Sequence, residues 1–350
     1  MSPVRIGLIG YGLFGKHHAA AIERTAEACL AAIAAPSPAS RAAASADHPR
    51  AAVFDDYRRM LREVPLDIVH VVGPNHLHYE MARAALEAGC HVLLEKPMAL
   101  RIDQCDALLE LAQRGGLLLG VNHELRLSSL WGEVRRLLDA GTLGTPQYAL
   151  LELSRFPYRQ GSQGWRYDRA RVGSWILEEP IHFFDLARWY LATAGEPVSI
   201  YALASARDPG RPELHDNFTA LVQFPGGAYA VVSQTLAAFE HHVTCKITGT
   251  RGALWAQWSA PDARSDVPVY RLRVSDGSQV RDVPLDRPAG ELVELHAHIG
   301  RFVQAVRQGS ALPVSGVDGR WSVALCLAAE ASLQAGQPIE LATFRDVAGR

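Results

Sequence analysis

The sequence predicts an α/β fold: a doubly wound parallel sheet at the N-terminus, then an α+β domain on a mostly antiparallel open sheet. Three observations predict it. Over residues 1–121, short apolar runs of strand length alternate with helix-like segments. Gly10-Tyr11-Gly12-Leu13-Phe14-Gly15 follows the first run and opens the first helix. After residue 122 the alternation gives way to clustered strand-like stretches with helices at their ends.

The elements follow in order. Residues 5–9, 29–34, 68–72, 91–94 and 117–121 are continuous apolar runs, as buried parallel strands are. Helices are expected between them at 14–27, 38–47, 56–62, 78–88 and 102–114. Ser37 caps the second, Gly89 stops the fourth and Asp103 makes the first turn of the fifth negative. A helix over 130–140 ends at Gly141, and strands follow at 147–154, 199–204, 218–224, 228–234, 243–247, 253–258 and 270–274. Phe224-Pro225-Gly226-Gly227-Ala228 is a hairpin turn between two of them. Helices return at 182–192, 292–308 and 320–334. The expected division is a dinucleotide-binding domain over 1–121 and a substrate-binding and oligomerisation domain over 122–350, whose C-terminal helices can pack back on the first.

Composition narrows the function. The chain of 350 residues has a core-forming 48% of hydrophobic residues and a net charge of −2, so neither disorder nor a general nucleic-acid or acidic-lipid footprint is expected. Five cysteines with no CxxC suit a reducing compartment. The start has no signal-peptide layout, and the longest suspicious apolar stretch, 28–40, is too short to span a bilayer. A soluble, cytoplasmic protein with no membrane and no nucleic-acid partner is expected.

The glycine pattern after a strand and before a helix is the fingerprint of a Rossmann-type dinucleotide site. Gly10 permits the tight turn, Gly12 lets a pyrophosphate approach the helix N-terminus, and Gly15 lets helix and strand pack closely. The position expected to hold a carboxylate on the ribose 2′-hydroxyl is Ala35, with Ser37 and Arg41 nearby. NAD(P) is therefore the expected cofactor, with a lean to NADP. Pro74-Asn75-His76-Leu77-His78 and Glu95-Lys96-Pro97 follow two further strands, at the carboxyl ends where open α/β sheets place ligands. Pro74, Asn75, His78, Glu95 and Lys96 join Gly10, Tyr11, Gly12, Leu13, Phe14, Gly15, Ser37 and Arg41 as candidate cofactor contacts.

The glycine turn, the Pro74–His78 loop and Leu86-Glu87-Ala88-Gly89-Cys90-His91-Val92-Leu93-Leu94-Glu95-Lys96-Pro97 closely resemble the Gfo/Idh/MocA oxidoreductases, the group of glucose–fructose oxidoreductase and inositol dehydrogenase. The resemblance continues through Gly164-Trp165-Arg166 and Gly173-Ser174-Trp175-Ile176-Leu177-Glu178-Glu179-Pro180-Ile181-His182-Phe183-Phe184-Asp185. It ends weakly at Gly316-Val317-Asp318-Gly319-Arg320. It implies that Lys96 and His182 carry the chemistry, with Glu178 where the family often has aspartate. The implied reaction is hydride transfer at a hydroxyl or keto carbon of a sugar, cyclitol or related polyol, by a homodimer or homotetramer. Glu178 and His182, four apart, share a face if their segment is helical, and Pro180 between them fits only a first helical turn or an irregular entry.

Other features carry less. His123 borders the crossover between domains, and Trp165 with Arg166 offers an aromatic face and a donor fork suited to hydroxyl-rich ligands, or plain packing. His76/His78 and His296/His298 have metal spacing without a matching carboxylate or thiol cluster, so no metal is expected. A catalytically silent NAD(P)-binding sensor is the alternative function. Leu221, Val231, Val232, Leu254, Trp255 and Trp258 exceed what one buried sheet face needs, which points to pairing through residues 147–274.

Overall fold

The computed structural model describes residues 2–344. Two compact units divide the chain, one made of the chain up to Glu124 with Glu294–Arg320, the other of Leu125–Val293 with the chain from Trp321 on.

The first unit runs β1 (Val4–Ile9), α1 (Leu13–Arg24), β2 (Ala28–Ala34), α2 (Pro38–Asp47), β3 (Ala52–Phe54), α3 (Tyr57–Glu63), β4 (Ile68–Val71), α4 (His78–Glu87), β5 (His91–Leu94), α5 (Ile102–Gly115) and β6 (Leu119–Val121). Its six strands are parallel in the order β3-β2-β1-β4-β5-β6, with β1 paired to β2 and β4. The strands are short and almost wholly apolar because both faces are covered. Ile6, Leu8, Ile33, Ile68 and Leu93 form one core with Ile22 of α1, and Leu295, Ile299, Phe302 and Val303 of the returning segment join it at helical spacing. Ser37 accepts a hydrogen bond from the Ser40 amide, as a helix cap does. Three expectations change here. The helix expected over 14–27 stops at Arg24, because Thr25 is extended and Glu27 takes a left-handed φ of 61°. The strand expected over 117–121 starts at Leu119. The edge strand β3, only three residues long, went unread because such a run is too short for a period.

The second unit supplies α6 (Trp131–Asp139), β7 (Pro146–Ser154), α7 (Arg169–Val172), α8 (Pro180–Tyr190), β8 (Ser199–Ser205), β9 (Asn217–Gln223), β10 (Tyr229–Thr235), β11 (His241–Gly249), β12 (Ala253–Ala260), β13 (Val269–Ser275) and β14 (Val280–Asp282). Helices α9 (Glu291–Gln308) and α10 (Gly316–Ala335) and the short β15 (Ile339–Glu340) follow, with α9 mostly in the first unit. The nine strands lie in the order β14-β13-β12-β11-β7-β10-β9-β8-β15, antiparallel except where β10 runs parallel to β7. Helix α8 packs on β7 and β10, with Phe184 edge-on to Phe218 of β9. The period of two sorts the surplus apolar residues. Val232, Leu254 and Trp258 lie on the covered face, whereas Leu221 and Trp255 are exposed and Val231 half-buried on the other. Among the described residues, no helix is long and apolar enough to cross a membrane.

Candidate active site

In the first unit the predicted residues gather at the carboxyl ends of β1, β2, β4, β5 and β6. Gly10, just past β1, has φ +102°, and a Cβ there would lie 2.0 Å from the Val72 carbonyl oxygen. A Cβ on Gly15 would lie 2.2 Å from the Gly10 carbonyl oxygen, so helix and turn touch through backbone alone. Gly12 differs: a Cβ there would meet nothing within 4 Å, and as N-cap of α1 it supplies no side-chain hydrogen bond to the first turn. An open approach to an N-terminus without a side-chain cap is what a pyrophosphate requires. Leu13 is exposed beside it and Phe14 half-buried. Tyr11 points elsewhere: its buried hydroxyl donates to Asp47 at 2.8 Å, and burial with that carboxylate pushes its pKa up.

At the end of β2, Ala35 is buried and Ser37 is spent on its cap. Arg41, one turn into α2, donates from Nη1 to the carbonyls of Ala35 at 3.2 Å and Pro36 at 2.7 Å. Its guanidinium thus lies against the backbone just past β2.

After β4, Asn75 is buried in a short helical turn, and His78 begins α4. The His78 ring lies 2.8 Å from the Gly73 carbonyl through Nε2 and 2.7 Å from the Pro97 carbonyl through Nδ1, clasping the two loops together. Between these contacts lies Glu95-Lys96, with Lys96 half-buried and Glu95 buried. The carboxylate Oε1 accepts from His18 Nε2 at 2.8 Å and from Asn122 Nδ2 at 2.6 Å. Burial alone would push this carboxyl up, yet the hydrogen bond and charge of His18, the Lys96 charge and the Asn122 hydrogen bond hold it below the ordinary range. Behind them, His70 Nδ1 lies 3.3 Å from His18 Nδ1, and His298 Nδ1 lies 2.8 Å from Asn122 Oδ1. Burial, then the neighbouring His18 and His298, push the His70 pKa well down, so that ring is neutral. Sequence reasoning missed His18 and His70; a histidine inside the apolar run Ile68-Val69-His70-Val71 was the available signal. His123 is buried at the end of β6.

In the second unit, α8 presents buried His182 in its first turn. Pro180 occupies the first helical position, as its fixed φ and missing N–H favour. The helix thus starts beyond Glu178, which sits in the preceding turn, so the shared helical face expected for Glu178 and His182 does not form. Glu178 accepts from Arg166 Nε at 2.5 Å, and Glu179 from Arg155 at 2.7 Å. Trp165 is buried in a cluster with Tyr158, Val172 and Trp175, and the Arg166 guanidinium lies 4.5 Å over its ring. Three residues past His182, Asp185 receives a two-pronged pair from Arg126 at 2.6 and 2.7 Å, both side chains almost wholly buried. That pair, joining residues 59 apart, was also invisible in the sequence.

Family comparison matches residues 4–123 to the oxidoreductase family with NAD-binding Rossmann fold, and residues 131–255 to the GFO/IDH/MocA C-terminal domain. The chain is 31% identical over 294 residues to the uncharacterized oxidoreductase YdgJ of Escherichia coli, covering 82% of this chain and 81% of that one. It is 27% identical to inositol 2-dehydrogenase of Rhizobium meliloti, covering 97% and 99%. Its fold matches levoglucosan dehydrogenase, solved with NADH, at a TM-score of 0.86 and 22% identity over 97% and 99% of the chains.

Proposed function

Because the chain belongs to the Gfo/Idh/MocA oxidoreductase family, we propose that it is an NAD(P)-dependent dehydrogenase or reductase of a sugar, cyclitol or related polyol. The observation that carries the reading is the open glycine turn at Gly12 on the same sheet end as Glu95-Lys96. Residues 1–121, with the 294–320 segment that packs on them, form the dinucleotide-binding part, and the rest of 122–350 serves the substrate and assembly. Gly10, Gly12, Gly15 and the α1 amides would hold the pyrophosphate, with Arg41, Pro74, Asn75 and Lys96 along the rest of the cofactor. When bound, the nicotinamide accepts or supplies the hydride.

Lys96 donates to the substrate oxygen and stabilises negative charge that develops there. His182 takes the hydroxyl proton in oxidation and returns it in reduction, the acid–base role that imidazole fills most often in enzymes. Glu178 acts through position, tying the turn that leads to His182 to Arg166 of the preceding segment. His123 and Arg166 are further candidates for hydroxyl contacts, whereas the buried Trp165 serves packing. The test is a polyol panel with NAD and NADP, read by absorbance of the reduced cofactor; no turnover with any member would overturn the reading.

The cofactor end gives a sharper expectation. With Arg41 in place and no carboxylate at 35, the protein prefers NADP, and Ala35→Asp shifts the preference toward NAD by repelling the 2′-phosphate. Titration of both cofactors against both forms checks this, and a strong NAD preference in the unmodified protein would refute it.

Assembly is a homodimer, or a tetramer of such dimers, through the open face of the nine-stranded sheet. That face shows Leu203 63%, Leu221 42%, Tyr229 42% and Trp255 56% exposed, more apolar surface than a lone sheet face carries in water. Light scattering of the unmodified protein is expected to give twice or four times 38.1 kDa, and Trp255→Glu to lower it. A single 38.1 kDa species would rule the pairing out. None of the five cysteines forms a disulfide, which suits the cytoplasm.

A further inference from the structure

Glu95, next to Lys96 in the chain, is only 6% exposed, an environment in which an isolated carboxyl would stay neutral. Two donors converge on one of its oxygens, His18 from α1 at 2.8 Å and Asn122 from the end of β6 at 2.6 Å. Each donor is itself held by a second histidine. His298 of α9, 2.8 Å from Asn122 Oδ1, can satisfy that oxygen only as a donor, which turns the amide nitrogen toward Glu95. His70 of β4 faces His18 Nδ1 at 3.3 Å, a gap with room for one proton. Whichever ring carries that proton, the hydrogen on His18 Nε2 stays aimed at the carboxylate. Titratable groups that act on Glu95 or its two donors include His18, His70, His298 and Lys96.

We propose that His18 is a positioning residue that keeps Glu95 anionic, and that this buried anion keeps the neighbouring Lys96 an ammonium. The proposal rests on the reading of Lys96 as the donor to the substrate oxygen, and goes beyond it by naming what maintains the protonated form. An opposite charge close to a lysine favours its charged state, and a low-dielectric interior strengthens the effect. Removal of the His18 donor lets burial win, Glu95 takes up a proton, and Lys96 loses that adjacent negative charge. The Lys96 midpoint then falls, and turnover that needs the ammonium fails at a lower pH than in the unmodified enzyme.

The experiment is trace acetylation of the full-length protein across pH, with the Lys96 peptide quantified by mass spectrometry, alongside pH profiles of kcat. In His18→Leu the Lys96 midpoint is expected to fall by about one pH unit or more. His18→Asn, whose amide is too short to reach Glu95, should behave alike and serves if the leucine variant does not fold. His18→Gln, which restores a donor, should return the midpoint and the alkaline limb of kcat, with KM for the dinucleotide little changed throughout. An unmoved midpoint in the folded leucine or asparagine variant overturns the proposal. Lys96→Ala with wild-type turnover would instead defeat the catalytic reading and leave the labelling result standing, so the two failures are distinct.

Discussion

Replacing Lys96 or His182 by alanine lowers the rate of the chemical step by about 10²–10⁴-fold each. Lys96 is half-buried and precedes Pro97, whose loop His78 ties to the Gly73 loop at 2.7 and 2.8 Å. His182 is held in the first turn of α8, anchored one turn later by the Asp185–Arg126 pair. The two variants should differ in a second readout. Dinucleotide affinity survives in His182→Ala and weakens in Lys96→Ala, because Lys96 stands on the sheet end that carries the glycine turn. Glu178→Gln costs less than either, since its contact is with Arg166. Single-turnover rates at saturating cofactor decide the matter, and a His182→Ala protein at near wild-type rate removes histidine from the mechanism.

Asp185→Asn is expected to cost about 3–5 kcal/mol of stability, the range for breaking a buried pair from one side. Arg126 would be left charged, 6% exposed, with its two-pronged partner gone. The pair itself is not required for a stable core: Arg126→Met with Asp185→Leu removes both charges and should recover most of the loss. Urea unfolding followed by fluorescence measures all three proteins. A cost below about 1 kcal/mol for Asp185→Asn would mean that water reaches the guanidinium and the pair behaves as a surface one.

The parts legible in the sequence are those whose physics is local. Gly10, Gly12 and Gly15 could be assigned separate duties because a positive φ, an open approach and a backbone contact each exclude a side chain at one position. Ser37 before Pro38 announced a cap, Phe224–Ala228 a hairpin, and the apolar runs a sheet buried on both faces. Pro180 marked a helix start, although the face expected for Glu178 and His182 failed because the helix begins after Glu178. The rest depends on which distant segments meet. His18 finds Glu95 across 77 residues, His298 finds Asn122 across 176, and Arg126 finds Asp185 across 59. A histidine or arginine carries the same letter whether it meets water or a buried carboxylate. The period of two along β9, β10 and β12 likewise shows that alternate residues face opposite ways, but only packing of helices such as α8 on β10 and α6 on β12 decides which of them is left exposed. The sequence by itself therefore determined the family, the glycine turn and the lysine and histidine to test. Only the tertiary structure decided the surroundings of those groups, because desolvation and pairing are properties of neighbours brought together by folding.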